Sequence, residues 1–103
     1  AYASRVRQLA ADLFPEEARA CPHFLRHKTK LLSPAVLRAS NIPTTRLVQR
    51  AGHFVIVESG AFHFGFNLGH NCAEAVNFAL TSWLPIGRTA APCTCQGQTP
   101  HVD

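Results

Sequence analysis

Four cysteines and six histidines carry most of the chemistry this sequence can offer. Cys93-Thr94-Cys95 sets two thiols on alternate residues, too close for a comfortable disulfide but able to point at one metal ion. Cys21 and His27, with five residues between them, would supply two more donors across a helical turn. Together they form a Cys₃His set, the soft tetrahedral arrangement of structural zinc. One ion bound there would tie the N-terminal helical segment to the C-terminal tail. Two other readings of the same residues stay open: reduced thiols without metal, or a disulfide from Cys21 to one tail cysteine.

His63 has a different setting. It lies in the alternating run Phe62-His63-Phe64-Gly65-Phe66-Asn67, with His63, Gly65 and Asn67 on one side and the three phenylalanines on the other. Period-two alternation predicts a strand. An imidazole on the inward face of such a strand can ligate a catalytic metal, and a hydrogen-bonded packing histidine is the plainer reading. A facial triad for iron needs His-x-Asp/Glu and a second, distant histidine. The single literal match, His101-Val102-Asp103, falls in the polar tail and is set aside as coincidence. Cys72 reads as a small buried hydrophobe. His23, His53 and His70 read as surface residues, although His23 stands close enough to His27 to compete with it.

The elements that must position these residues follow in order. Val6, Leu9, Ala10, Leu13 and Phe14 share one helical face over residues 3–14. Pro15 is expected to stop that helix, leaving Pro15 to Ala20 as a linker, and Cys21-Pro22 opens a short second helical turn. Lys30 to Leu32 reads as a short strand. Ser33-Pro34 is a cap followed by proline and predicts a helix from Ala35 to Ser40, ended by Asn41-Ile42-Pro43.

Strands are then expected over 46–50 and 53–58, with turns at Ala51-Gly52 and Ser59-Gly60. A hairpin over 60–79 reverses at Asn67-Leu68-Gly69-His70, with Gly69 at positive φ. Its second limb places Ala75 and Asn77 on one face. Thr81 to Gly87 makes a last helical turn around Trp83, interrupted by Pro85, and 96–103 reads as a mobile polar tail. Helices followed by closely spaced antiparallel strands predict a mainly β fold with flanking helices, part of a sandwich or jelly roll.

Size and composition bound the rest. With 103 residues and 47% hydrophobic content, the chain is one domain or part of one, and disorder throughout is not expected. The net charge of +4 comes from scattered cations and favours anionic partners only weakly. No apolar run has the length of a transmembrane helix and no signal-peptide layout is present, so no membrane association is expected. The chain opens without Met inside a helical pattern, as a piece of a longer protein would.

The run from Phe62 to Asn67, followed by Gly69-His70-Asn71-Cys72-Ala73-Glu74-Ala75-Val76-Asn77-Phe78-Ala79, resembles the second half of the JmjC (Jumonji) domain of histone lysine demethylases. Phe24 to Lys28, Leu32-Ser33-Pro34, Ala51-Gly52 and Trp83 to Gly87 resemble the same family in the same order. The resemblance covers 1–95, leaving 96–103 as a tail. It implies the C-terminal half of a double-stranded β-helix of the cupin or jelly-roll kind. Cys21, His27, Cys93 and Cys95 match the zinc ligands of the JMJD2-type subfamily. Ala-Glu-Ala-Val-Asn-Phe and Trp-Leu-Pro-Ile-Gly-Arg are also similar to the JARID-type subfamily.

Carried over residue by residue, His63 matches the distal iron-ligating histidine. Asn77 and Ala75 match positions of the methyl-lysine pocket, and Lys28 matches a basic residue near the active centre. The resemblance implies an Fe(II)- and 2-oxoglutarate-dependent dioxygenase with structural Zn(II). The expected partner is the methylated histone H3 tail in nuclear chromatin, without sequence-specific DNA binding. The His-x-Asp/Glu pair and the 2-oxoglutarate grip belong to the family's first half, so the chain alone is expected to be inactive. Phe62 stands where Tyr is frequent, Glu58-Ser59 replaces Phe-Pro, and Phe64 is larger than the usual Ala or Ser. These departures keep open an inactive chromatin-binding module, and a JmjC protein hydroxylase is a third reading.

Overall fold

The computed structural model describes residues 2–95. The chain divides into two compact units, one formed by residues up to Val48 together with Ala91 onward, the other by Gln49–Ala90. The polar tail and His101-Val102-Asp103 lie outside the described residues.

In the first unit α1 spans Ala3–Leu13. Of its expected apolar stripe, Val6 and Ala10 are buried, while Leu13 stays 47% exposed. The helix ends ahead of Pro15 as expected, but Pro15 to Ala20 is not a linker. Pro15 opens α2, Pro15–Ala20, because a fixed φ and a missing N–H cost nothing in a first helical turn. Glu16 and Glu17 occupy the first turn of α2 and Arg19 the last, the polarity that the helix dipole favours. Glu17 also pairs with Lys30, and that ammonium sits 5.1 Å from the centroid of the Phe14 ring. Lys30 is anchored by this pair and Leu32 by the core, while Leu31 is exposed, and the expected strand over Lys30 to Leu32 is not formed.

A 3₁₀ turn follows at Phe24–His27, closed by Lys28 in the left-handed region at φ 57°. The Ser33-Pro34 signal acts as expected: Ser33 Oγ accepts from Val36 N at 3.3 Å, and α3 runs Pro34–Ala39. Its end is set by Asn41 at φ 53°. The Asn41 N–H donates to Arg38 O and the Ile42 N–H to Leu37 O, both at 2.9 Å. That pair of bonds is the Schellman pattern, with asparagine in the place glycine often takes. Arg5 of α1 donates to Ser40 O at 3.0 Å and ties the two helices.

The core of this unit is small and built around sulfur. Ala10, Cys21, Phe24 and Cys93 are buried together, with Phe14, Ala18, Leu25 and Leu32 packed against them. The Phe14 and Phe24 rings meet edge to face with centroids 6.3 Å apart, a geometry that adds about 1 kcal/mol beyond burial.

In the second unit the expected turns form and the expected strands do not pair. Gly52 and Gly60 take φ 80° and 75°. His53 N–H donates to Arg50 O at 3.0 Å and Ala61 N–H to Glu58 O at 3.1 Å. Gly69 is not at positive φ. The bend at 67–71 is instead closed by Asn71 Nδ2 donating to Asn67 Oδ1 at 3.0 Å. No β-strand is present among the described residues, so the mainly β architecture has no ladder here.

The physical reason is exposure. Phe54, Ile56, Phe66, Val76 and Phe78 are 96, 72, 81, 82 and 63% exposed, and a hairpin whose apolar face is uncovered is marginal in water. Cys72 is likewise exposed, not buried as its place on the apolar side predicted. The unit does close at its end. A 3₁₀ turn at Thr81–Trp83 leads into α4, Leu84–Thr89. Pro85 lies in the first turn of α4, so it starts this helix and does not interrupt it. The Trp83 ring packs so tightly on Gly87 that an added Cβ there would sit 2.4 Å from it.

Candidate metal centre

Three local structures bring donors to one point of the first unit. Cys21 is the extended residue that terminates α2. His27 ends the 3₁₀ turn that Cys21 and Pro22 lead into, and Cys93 and Cys95 arrive on the returning segment. One ligand atom from each of the four lies within 4.8 Å of every other. Cys21 Sγ and Cys93 Sγ are 3.6 Å apart, and His27 Nε2 is 3.2 Å from Cys93 Sγ. Among the described residues this is the one group of three or more His, Cys, Asp or Glu able to hold a metal. The cysteines are free thiols, so the disulfide reading is not realised in this structure.

Backbone N–H groups point at two of the sulfurs. His23 N–H donates to Cys21 Sγ at 3.4 Å, and Cys95 N–H donates to Cys93 Sγ at 3.5 Å. The Cys93 thiol is drawn down to about 6, first by the Cys95 N–H and then by His27, against the opposing effect of desolvation. Cys95 moves the other way, up to about 11, because the Cys21 and Cys93 sulfurs crowd it. Thiolates held this close repel one another, and a bound cation relieves that repulsion. The arrangement suits a four-coordinate thiophilic metal.

His23 does not displace His27. It contributes its backbone N–H while the His27 ring reaches Cys93. Sequence reasoning missed that N–H and the one from Cys95. The only local signal for either is the two-residue spacing from each cysteine to its donor. His53 also has a role: its Nδ1 accepts from Arg50 N at 3.3 Å and braces the first turn of the second unit.

The remaining expected site residues fall at exposed positions. Lys28 lies in the first unit, directly after the 3₁₀ turn. His63, Ala75 and Asn77 lie in the second, on segments without regular structure. No described helix is long and apolar enough to cross a membrane.

A family model described as "JmjC domain, hydroxylase" matches residues 2–78. Among curated relatives, the chain is 46% identical over 94 residues to probable lysine-specific demethylase 4F of Homo sapiens, covering 91% of this chain and 15% of that protein. It is 45% identical over 94 residues to lysine-specific demethylase 4D of Rattus norvegicus, covering 91% of this chain and 18% of the relative. Against lysine-specific demethylase 4B of Mus musculus the identity is 43% over 95 residues, covering 92% and 9%. The chain thus spans less than a fifth of the length of these relatives. No solved structure matches.

Proposed function

This chain belongs to the JmjC domain family, and from that premise we propose that it is part of an Fe(II)- and 2-oxoglutarate-dependent histone lysine demethylase. The observation that carries this reading is 43–46% identity, over nine-tenths of the chain, to proteins named lysine-specific demethylases. The substrate would be the methylated histone H3 tail, and the place of action nuclear chromatin. Its segments at 46–50 and 53–58 and the alternating hairpin over 60–79 would be jelly-roll strands. Support for that comes from the two glycine turns and from the apolar side chains a second sheet would cover.

The structural metal in this reading is Zn(II). Tetrahedral zinc with ordinary Zn–S and Zn–N distances separates two sulfurs by about 3.8 Å and a sulfur from a nitrogen by about 3.6 Å. The observed 3.6 and 3.2 Å lie near those edges and need only a small adjustment. Cys21, His27, Cys93 and Cys95 would then join segments 72 residues apart.

Iron is a different matter. His63 would offer one imidazole, and one imidazole does not make a facial triad. In the whole protein, bound iron and 2-oxoglutarate supply the oxidation of the N-methyl group. No chemical step is assigned to this chain by itself. Asn77 would present an amide oxygen to the methylammonium group, Ala75 would leave room for it, and Lys28 would add positive charge near the centre.

The test is a demethylation assay of the full-length protein on a trimethyl-lysine histone H3 peptide with Fe(II) and 2-oxoglutarate, read by mass spectrometry. Loss of methyl groups by the parent is expected, and a fall with His63→Ala beyond the roughly 10–100-fold that even an outer-shell partner of a metal costs. An inactive parent, or a His63→Ala variant as active as the parent, would overturn the enzyme reading; binding to methylated peptides without turnover would point to a chromatin-binding module.

A further inference from the structure

We propose that the Cys21–His27–Cys93–Cys95 cluster has a second, oxidised state in which a Cys21–Cys93 disulfide releases the metal yet keeps the same two chain segments joined. The inference rests on the metal reading above, and its geometry stands on the positions of the sulfurs.

Three thiols share the cluster, so three disulfides are conceivable. Cys93 and Cys95 are separated by one residue, which strains the bond, because two cysteines this close on one chain seldom reach the required dihedral. Cys21 and Cys93 are already 3.6 Å apart, side by side in the core. They close to bonding distance by a movement of about 1.5 Å, within what two side-chain rotations supply. Cys95 is the exposed member and moves outward most easily. Cys21 also leads into the 3₁₀ turn that carries His27, so bonding its sulfur to Cys93 removes two vertices of the tetrahedron while leaving the segment tethered.

The chemistry needs a two-electron oxidant of the peroxide class. One thiolate of the pair attacks a peroxide oxygen: an S–O bond forms, the O–O bond breaks, and hydroxide leaves. The sulfur becomes a sulfenic acid, oxidised by two electrons, and the peroxide is reduced. The second thiolate then attacks that sulfur, an S–S bond forms, the S–O bond breaks, and a second hydroxide leaves. Two thiolates and one peroxide become one disulfide and two hydroxides. Two of the metal's four donors are consumed, leaving His27 and Cys95, and the ion departs. A thiol reductant reverses the bond and restores the site. The disulfide closes the same loop between residues 21 and 93 that the metal closed, so the fold of the first unit outlasts the loss of its metal.

The experiment treats the zinc-loaded full chain with hydrogen peroxide. Released zinc is followed with a chromogenic chelator, disulfides are mapped by non-reducing peptide mass spectrometry, and far-ultraviolet circular dichroism is recorded throughout. Zinc release in step with a Cys21–Cys93 crosslink, retained helical signal, and recovery of zinc binding after thiol reduction are expected. The Cys95→Ser chain should form the same crosslink, and Cys21→Ser should lose helical signal on oxidation. A Cys93–Cys95 or Cys21–Cys95 bond as the main product, or sulfonic acids without a crosslink, overturns the proposal. Should the reduced chain bind no zinc at all, the metal reading fails separately, and the crosslink arm still decides the geometry.

Discussion

Replacing Cys93 with serine tests the metal centre most directly, because this sulfur touches both other sides of the cluster. Cys93 Sγ lies 3.6 Å from Cys21 Sγ and 3.2 Å from His27 Nε2, across sequence separations of 72 and 66 residues. A crosslink closing a loop of that length lowers the entropy of the unfolded chain enough to stabilise the fold by about 4 kcal/mol on the loop-closure relation. The core it serves is small: six hydrophobic residues are buried among those described, and two of them are Cys21 and Cys93.

A loss of about 4 kcal/mol is most of the stability that a small domain holds. Urea unfolding followed by circular dichroism, with zinc counted by elemental analysis, checks it. The zinc-loaded parent should unfold cooperatively. Chelation, or Cys93→Ser, should lower the midpoint by roughly 3–4 M at a slope of about 1 kcal/mol per molar urea, or leave no folded baseline. Cys72→Ser, at an exposed thiol, should behave as the parent does. Equal zinc content in parent and Cys93→Ser, or an unchanged midpoint after chelation, would refute the reasoning.

Three further outcomes follow from separate contacts. Phe24→Ala removes a ring that is 4% exposed and packed edge to face on Phe14. It should cost roughly 3–5 kcal/mol by urea unfolding, with zinc binding weakened because the same core seats Cys21 and Cys93. Gly87→Ala would drive a methyl group into the Trp83 ring, 2.4 Å away. The half-exposed ring can turn aside and alanine favours the helix, so stability should change by less than about 1 kcal/mol, with a shift in Trp83 fluorescence as the ring is displaced.

Zinc binding should release protons, with a sign set by the thiols. The Cys95 thiol of the metal-free cluster sits up at about 11 and is still protonated at pH 8, so binding must expel that proton. Cys93, at about 6, is largely ionised at pH 8 and adds its own proton to the count only as pH falls toward and below that value. Titration with zinc in weakly buffered solution at pH 8 and pH 5.5, read by a pH indicator, should show more protons released per zinc at the lower pH. A count independent of pH would sink this assignment.

Local chemistry was readable wherever a residue type forces a backbone. Ser33-Pro34 starts α3, and Gly52 and Gly60 make their turns, because a cap, a fixed φ or a missing Cβ acts within a few residues. Pro15 shows the limit of that logic. Proline punctuates helices at both ends, and here it does both: α1 ends at Leu13 and α2 begins at Pro15, with Phe14 and Ala18 packed against the sulfur core. Asn41 ends α3 through a left-handed turn that many asparagines never adopt, and Gly69 does not take the positive φ its type allows.

The four clustered residues were legible as types able to ligate a metal, with reduced thiols or a disulfide left open by the spacing alone. Their convergence was not legible. It depends on α2 ending at Cys21, on the 3₁₀ turn aiming His27, and on the return of residues 91–95 to the first unit. The hairpin around His63 marks the opposite case. Its alternation is plain in the sequence, but pairing needs an edge and a covered face, and alternation supplies neither.

By itself, then, the sequence determined which residues could act and which family the chain resembles, because composition, spacing and turn chemistry are local properties. Tertiary structure alone decided which donors meet. Contacts across 66 and 72 residues exist only after the helices have packed and the returning segment has docked on Ala10 and Phe24.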